Sequence, residues 1–191
     1  STLAAMQTAE AMRTAGVDPN GIDGIVLSHL HLDHFGGLPF FLLDAQHLSR
    51  RDRPLAIAGP PGTRERVSAL LEVTFAGSTK SKWRFLWEVT DIPVGDPTGF
   101  LGFTVTSTEV IHFSGAPSTA LRLTDGRKIF AYSGDTQWTD ALLAVARGAD
   151  LFIIECYDYE REFSGHLNWK TIERRKADFS ARRLMVTHMN A

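Results

Sequence analysis

Four side chains of the kinds that bind metal ions fall within six residues near the start of the chain. They are His29, His31, Asp33 and His34. In extended backbone, residues two apart share a face, so His29 and His31 can point at one metal ion. Asp33 and His34 follow where the chain turns, and they can reach a second ion nearby. Imidazole and carboxylate groups are suitable ligands for zinc, and manganese or iron also accept them.

Three further polar side chains follow apolar runs later in the chain. They are His112 after residues 110–111, Asp135 shortly after residues 129–132, and His188 after residues 184–187. Because α/β proteins place their sites at the carboxyl ends of strands, we expect these side chains to complete a metal centre. His47 does not follow a run of this kind, and we interpret it as an ordinary residue.

Short apolar runs bounded by Gly, Asp or Pro predict the buried strands that must position these side chains. They are residues 24–28, 55–58, 121–123, 129–132, 151–155 and 184–187, with a half-exposed strand at 103–111. Segments with a period of about 3.6 residues predict helices between the strands. They are residues 2–15, 63–75, 139–147 and 168–176. Strands that alternate with helices predict an α/β architecture.

The composition is typical of a globular protein and argues against some partners. The 191 residues suffice for one domain, residues 1–191, in which 43% are hydrophobic and 22% are charged. A net charge of −2 gives no general attraction to nucleic acid or to an anionic membrane. We interpret the short basic runs at 50–53 and 174–176 as solvated surface.

Cysteine use and hydropathy predict the compartment. The single cysteine, Cys156, excludes an internal disulfide bond and fits a reducing environment. It follows the apolar run 151–155, so we expect a buried and inert thiol. No apolar run approaches the roughly 18 residues of a membrane span, and no segment resembles a signal peptide. We therefore expect a cytoplasmic protein without a membrane partner.

The run Ser-His-Leu-His-Leu-Asp-His-Phe-Gly-Gly-Leu-Pro at 28–39 resembles the His-x-His-x-Asp-His signature of the metallo-β-lactamase superfamily. His112, the segment Tyr-Ser-Gly-Asp-Thr at 132–136 and Thr-His at 187–188 follow in the order of that family. The resemblance implies an αββα sandwich with two divalent metal ions, zinc by preference. It implies that His29, His31 and His112 hold one ion, that Asp33, His34 and His188 hold the other, and that Asp135 bridges them.

The resemblance also implies a hydrolase that uses a hydroxide bridging the two ions. In this mechanism Asp33 orients the hydroxide and takes part in proton transfer. Because two divalent cations outweigh the negative charge of the two aspartates and the hydroxide, the site favours a small anionic substrate.

Within the superfamily, the chain is most similar to the ribonuclease Z-like branch, which includes smaller phosphodiesterases. Glu155 and Gly165-His166 occupy the places of a His-Glu-Ala-Thr and a Gly-His-Ser segment, which implies that Glu155 orients His166 and that His166 protonates the leaving oxygen. The sequence departs from these segments at Ile154, Cys156-Tyr157 and Leu167. The interval of 23 residues from His112 to Asp135 is too short for the long tRNA-gripping arm of the bacterial enzymes. We therefore expect a small phosphodiester or nucleotide-type substrate rather than tRNA.

Other readings stay open at this point. A thioesterase or lactonase similar to glyoxalase II would use a similar ligand set, and a non-catalytic metal-binding protein would share the fold. A true β-lactamase is disfavoured because Cys156 lies in the wrong segment to be a zinc ligand.

The aromatic segment 83–87 is interpreted as core or oligomer packing, and a homodimer is compatible with it. Members of the family normally have additional strands before the first helix and a short helix after the last histidine, so we expect the sequence to be truncated at both ends.

Overall fold

The computed structural model describes residues 8–189, and the chain divides into two compact units, residues 1–91 and 92–191. Each unit joins one β-sheet to helices, which confirms the predicted α/β class. The first helix is confirmed as α1, Thr8–Thr14, while residues 2–7 of the prediction lie outside the described residues. Between residues 8 and 189, no helix has both the length and the apolar composition to cross a membrane.

Unit 1 contains a parallel sheet in which β2 lies between β1 and β3. The strands are β1 (Gly24–Val26), β2 (Leu55–Gly59) and β3 (Trp87–Asp91). The helices after α1 are α2 (Leu32–Phe35), α3 (Leu38–Leu43) and α4 (Thr63–Thr74), with a π-helical turn at Asp44–Leu48 and 3-10 turns at Pro19–Gly21 and Ser78–Lys80. Leu55 and Ile57 on β2 are buried, as expected for a central parallel strand.

Unit 2 contains a six-stranded sheet in the order β4-β5-β6-β7-β8-β9. Its strands are β4 (Thr98–Phe100), β5 (Phe103–Glu109), β6 (Thr119–Thr124), β7 (Ile129–Tyr132), β8 (Leu151–Glu155) and β9 (Leu184–Thr187). The connections between β7, β8 and β9 carry α5 (Ala141–Ala146) and α6 (Trp169–Arg175), followed by a 3-10 turn at Lys176–Asp178. Because β7, β8 and β9 run parallel, their carboxyl ends lie at the same edge of the sheet.

The core of unit 2 lies between this sheet and its two helices. Phe152 and Ile154 of β8 pack there with Leu142 of α5 and Ile172 of α6, all at 0% exposure. Burying each such side chain contributes roughly 1.5–3 kcal/mol. Asn168 caps α6 by accepting a hydrogen bond from the backbone N–H of Thr171, so the predicted helix start is confirmed.

Two sequence-based expectations are wrong in detail. The strand expected at 103–111 ends at Glu109, because the N–H of Ile111 instead donates to the hydroxyl of Thr136. The basic run at 50–53 is not uniformly solvated, since Arg51 is only 1% exposed. Its guanidinium donates to the carbonyl oxygens of Asn20, Arg53 and Pro54, so burial leaves its N–H groups bonded.

Candidate metal centre

The predicted ligands of unit 1 lie together where β1 leads into α2. The ring centroid of His29 lies 5.1 Å from that of His31 and 4.1 Å from that of His34. Nε2 of His34 lies 3.6 Å from a carboxylate oxygen of Asp33. His29 is fully buried, and its Nδ1 lies 3.1 Å from the hydroxyl of Ser28. A strand end and one turn of helix thus gather three imidazoles and a carboxylate.

Gly36 closes the turn that brings Asp33 and His34 back toward His29. Its N–H donates to the carbonyl of Leu32 at 2.7 Å. A Cβ at this position would lie 2.3 Å from that same oxygen, far inside van der Waals contact. A residue without a Cβ is therefore required for α2 to end this tightly after the ligands.

The predicted ligands of unit 2 follow the ends of its strands. His112 follows β5, Asp135 follows β7 and His188 follows β9. Asp135 is 2% exposed, and His188 adopts a positive φ of 62° directly after its strand. Nε2 of His188 lies 3.5 Å from Oδ2 of Asp135. The shared sheet edge therefore brings the strand-end residues of β7 and β9 into contact, as the sequence predicts.

His166 and Glu155 join this cluster. One atom each of His112, Asp135 and His166 lie within 4.8 Å of one another, and the same holds for Glu155, His166 and His188. Nδ1 of His166 is 3.3 Å from Oε1 of Glu155 and 3.9 Å from Oδ2 of Asp135. The structure thus places the two residues of the expected proton-transfer pair beside each other.

Glu155 is held in place by its surroundings. It is fully buried, and its Oε1 accepts a hydrogen bond of 2.6 Å from the N–H of Thr136. Its own N–H donates to the hydroxyl of Ser133. The hydrogen bond with Glu155 raises the pKa of the His166 imidazole, partial burial opposes this, and the charges of Glu155 and Asp135 add to the rise. The pair therefore favours the protonated form of His166.

Two residues at this site were missed by the sequence analysis as contributors to its geometry. The carbonyl oxygen of Gly165 lies 2.9 Å from Nδ1 of His112. The ring of Tyr157 stacks on His166 at 4.7 Å with an interplanar angle of 27°. The available signals were the Gly-His pair at 165–166 and the departure from the family segment at Cys156-Tyr157, but neither indicates these contacts.

The donor chemistry of both clusters fits divalent metal ions. Imidazole nitrogens and carboxylate oxygens are the groups that zinc accepts in proteins. In unit 2 they lie on strand ends whose backbone is fixed by the sheet, so the donors are held before a metal arrives.

The buried thiol of Cys156 has its pKa raised by burial, and it hydrogen-bonds to the carbonyl of Asp158, in keeping with the inert thiol predicted from the sequence.

Comparison with known families identifies the class of protein. The family described as Beta-lactamase superfamily domain matches residues 2–189. The chain therefore belongs to the β-lactamase superfamily, and the resemblance drawn from the histidine-rich run is confirmed.

Relatives within this superfamily include metallo-hydrolases. The probable metallo-hydrolase YhfI of Bacillus subtilis is 29% identical over 176 residues, which are 88% of this chain and 66% of YhfI. The crystal structure of YhfI, described as a metallo-β-lactamase fold protein, matches with a TM-score of 0.69 at 25% identity, covering 95% of this chain and 70% of that one. The predicted type of fold is therefore confirmed.

Ribonucleases of the Z type are also similar to the chain. Ribonuclease Z of Mycobacterium sp. (strain KMS) is 30% identical over 153 residues, which are 74% of this chain and 53% of the relative. The short form of human tRNase Z has a TM-score of 0.76 at 21% identity, covering 95% of this chain and 70% of that structure, a likeness of fold. The chain spans 66% of the length of YhfI and 53% of the length of this ribonuclease Z.

Proposed function

We propose that residues 1–191 act as one hydrolase domain that depends on two divalent metal ions and cleaves a small phosphodiester or nucleotide-type substrate. In the ligand order of the family, His29, His31 and His112 would hold one ion, Asp33, His34 and His188 would hold the other, and Asp135 would be a ligand of both. Zinc suits these donors best, and manganese or iron are also compatible with them.

The contact between Glu155 and His166 carries the phosphodiester part of the proposal. An alkoxide departs slowly unless its oxygen receives a proton, and a positioned imidazolium can supply that proton. Nδ1 of His166 faces the buried carboxylate of Glu155 at 3.3 Å, a contact that raises the pKa of the imidazole and orients the ring. The same nitrogen lies 3.9 Å from Oδ2 of Asp135, so the ring of His166 lies beside a proposed metal ligand.

The remaining steps divide between the metals and the protein. Bound divalent cations lower the pKa of water and offset the charge of an anionic substrate. Asp33 accepts and orients the proton of the attacking nucleophile, and His166 donates a proton to the leaving oxygen. Glu155 acts through His166, and the hydrogen bond from Thr136 to its carboxylate and the bond from its own N–H to Ser133 support this positioning role.

A small substrate is favoured over a folded RNA. The net charge of −2 supplies no excess of basic groups for a phosphate backbone, and Asp135 follows only 23 positions after His112. The relatives named ribonuclease Z support a phosphodiester bond as the target.

Metal content and turnover test the proposal together. Protein expressed with zinc is expected to contain bound zinc and to hydrolyse bis(p-nitrophenyl) phosphate faster than it hydrolyses a panel of thioesters and lactones. Asp135→Ala is expected to lose both metal and activity, whereas Asp140→Ala, at an exposed carboxylate, is expected to keep both. Wild-type protein that binds no zinc would overturn the metal centre, and preferred turnover of thioesters or lactones would replace the phosphodiesterase with a glyoxalase II-like activity. Bound zinc without turnover of any of these substrates would favour a non-catalytic metal-binding protein.

A further inference from the structure

A cleft of about 340 Å³ opens in unit 2 beside the carboxyl ends of β8 and β9. Three aromatic rings line it, those of Tyr157, Tyr159 and Trp169, together with the sulfur-bearing side chains of Cys156 and Met189. Pockets for small molecules are typically about 300–1,000 Å³ and mostly apolar. The cleft is therefore large enough for one flat ring system of a small ligand.

Tyr157 joins this cleft to the cluster around His166. Its ring stacks on His166 at 4.7 Å and lies 5.9 Å from the ring of His188. A group bound in the cleft is thus separated from these two histidines by a single side chain. The cleft and the two histidines are therefore close enough to hold two parts of one substrate.

The residues that line the cleft favour an uncharged group over an anion. Among the described residues that line it, only Asp158 belongs to a charged residue type (Asp, Glu, Lys or Arg). Its carboxylate accepts the backbone N–H groups of Glu160 and Arg161 at 3.0 and 2.9 Å, bonds that lower its pKa. A phosphate beside this fixed negative charge is disfavoured, whereas aromatic and sulfur groups favour the face or edge of an uncharged ring.

The rings that line the cleft are themselves held in place. Trp169 is the first residue of α6, which Asn168 caps, and its side chain packs against the core of unit 2. Nζ of Lys170 lies 5.0 Å from the ring centroid of Tyr159, a cation–π contact that limits the movement of that ring. Rings that are ordered before a ligand arrives lose little freedom when one binds.

We propose that this cleft binds a flat, uncharged aromatic ring, a nucleobase or an aryl group, that forms part of the substrate. The assignment rests on the proposed function, since the ring is attached to the phosphodiester that the neighbouring histidines act on. Tyr159 and Trp169 are then residues that determine specificity, and Tyr157 contacts both the ring and His166.

Calorimetric titration of the zinc-loaded protein tests the cleft without any turnover. Adenosine presents a nucleobase, 2-naphthol presents an aryl ring, and ribose serves as the control without a ring. Adenosine, 2-naphthol or both are expected to bind at least tenfold more tightly than ribose. Binding of adenosine alone assigns a nucleobase, and binding of 2-naphthol assigns any aryl ring. Equal, weak binding of all three overturns the proposal.

Two variants locate the binding. Tyr159→Ala changes a side chain that is 59% exposed, so the fold is retained, and Trp169→Leu removes the packed ring. Because each variant removes a ring on which the ligand stacks, each is expected to weaken adenosine or 2-naphthol binding by roughly tenfold. Trp83→Leu, in unit 1, is the matched control and is expected to leave binding unchanged. Unchanged affinity in Tyr159→Ala contradicts the assignment even if Trp169→Leu fails to fold.

The experiments distinguish a failure of the ring site from a failure of the proposed function. A protein that binds the ring but cleaves no phosphodiester refutes the proposed function and leaves the ring site in place. A protein that cleaves bis(p-nitrophenyl) phosphate but binds neither adenosine nor 2-naphthol refutes only the cleft.

Discussion

The carbonyl oxygen of Gly165 lies 2.9 Å from Nδ1 of His112, across 53 residues of sequence. A carbonyl oxygen accepts hydrogen bonds and cannot donate them, so Nδ1 of His112 carries the proton. In the neutral ring Nε2 then has the lone pair that a metal ion requires. Gly165 thus sets the tautomer of His112, and it stands directly before His166 in the same loop.

The substitution Gly165→Ala is expected to weaken zinc binding by about 10- to 100-fold, the range seen when groups that orient a metal ligand are lost. Gly165 has a φ of 80°, and a Cβ there would lie 2.8 Å from Nδ1 of His112. The methyl group therefore displaces the imidazole. Zinc affinity is measured by competition with a chromophoric chelator.

Gly148→Ala is the matched control for backbone strain. Gly148 has a φ of 64°, and a Cβ there would meet no atom within 4 Å. Both variants are expected to lose roughly 1–2 kcal/mol of unfolding free energy from the positive φ, measured by urea denaturation. Only Gly165→Ala is expected to lose zinc affinity. Equal zinc affinity in the two variants would show that Gly165 does not position His112.

The proposed role of His166 as a proton donor predicts a dependence on the leaving group. His166→Ala is expected to lower kcat/KM by about 10²- to 10⁴-fold for a phosphodiester with an alkyl leaving group, because the alkoxide needs a proton. For a p-nitrophenyl ester the loss is expected to be far smaller, since p-nitrophenolate leaves without one. Steady-state rates on the two substrates measure the ratio.

Two further variants test whether His166 acts as a proton donor. Glu155→Gln is expected to show the same pattern with a smaller loss, because the amide keeps the shape of the side chain and removes its charge. His47→Ala, at an exposed imidazole of unit 1, is expected to change neither rate. Equal losses on both substrates in His166→Ala would mean that this residue binds metal or substrate rather than donating a proton.

Much of the site could be predicted because several of its residues lie at, or within three residues after, the ends of strands. The bounds of β7, β8 and β9 agree with the apolar runs. Asp135 lies three residues after β7, Glu155 is the last residue of β8, and His188 directly follows β9. The contact between His112 and Gly165 could not be predicted, because it joins residues far apart in the chain through a backbone atom, which leaves no trace in side-chain type. Helix α3 was missed because Leu38–Leu43 is apolar throughout and has no helical period.

The burial of Arg51 likewise could not be predicted from the pattern of charged residues. A run of basic residues reads as surface, yet the carbonyl oxygens that Arg51 binds belong to Asn20, Arg53 and Pro54, and the first is 31 residues away. Local sequence identifies the charge of a side chain, while the acceptors that permit its burial are set by the fold.

Replacing this arginine is therefore expected to destabilise the protein. Arg51→Met fills similar space but leaves three carbonyl oxygens without their donor, which is expected to cost about 3 kcal/mol of unfolding free energy. Arg50→Met, at the exposed neighbouring position, is expected to change stability by less than about 0.5 kcal/mol. Urea denaturation of the two variants gives the comparison. Similar midpoints would indicate that the hydrogen bonds of Arg51 contribute little.

Asp150 is expected to make stability depend on acid pH. Its carboxylate accepts the N–H of Ile129 at 3.0 Å and pairs with Lys128 and Arg182. The bond from Ile129, followed by that from Lys128, lowers the pKa of Asp150 in the folded protein. Because the folded pKa lies below the unfolded value of about 3.9, the stabilisation is fully present above that pH. It is lost as the pH falls through the folded pKa.

Urea midpoints measured from neutral to acid pH test this linkage. Asp150→Asn is expected to be less stable than the wild type at neutral pH, because the amide accepts the N–H of Ile129 but pairs with neither Lys128 nor Arg182. The difference is expected to shrink as the pH falls, since protonation removes the same charge from the wild type. Asp96→Asn, at an exposed loop residue, serves as the control and is expected to give a smaller difference at neutral pH. A stability gap between Asp150→Asn and the wild type that persists at acid pH would assign the effect to packing rather than to charge.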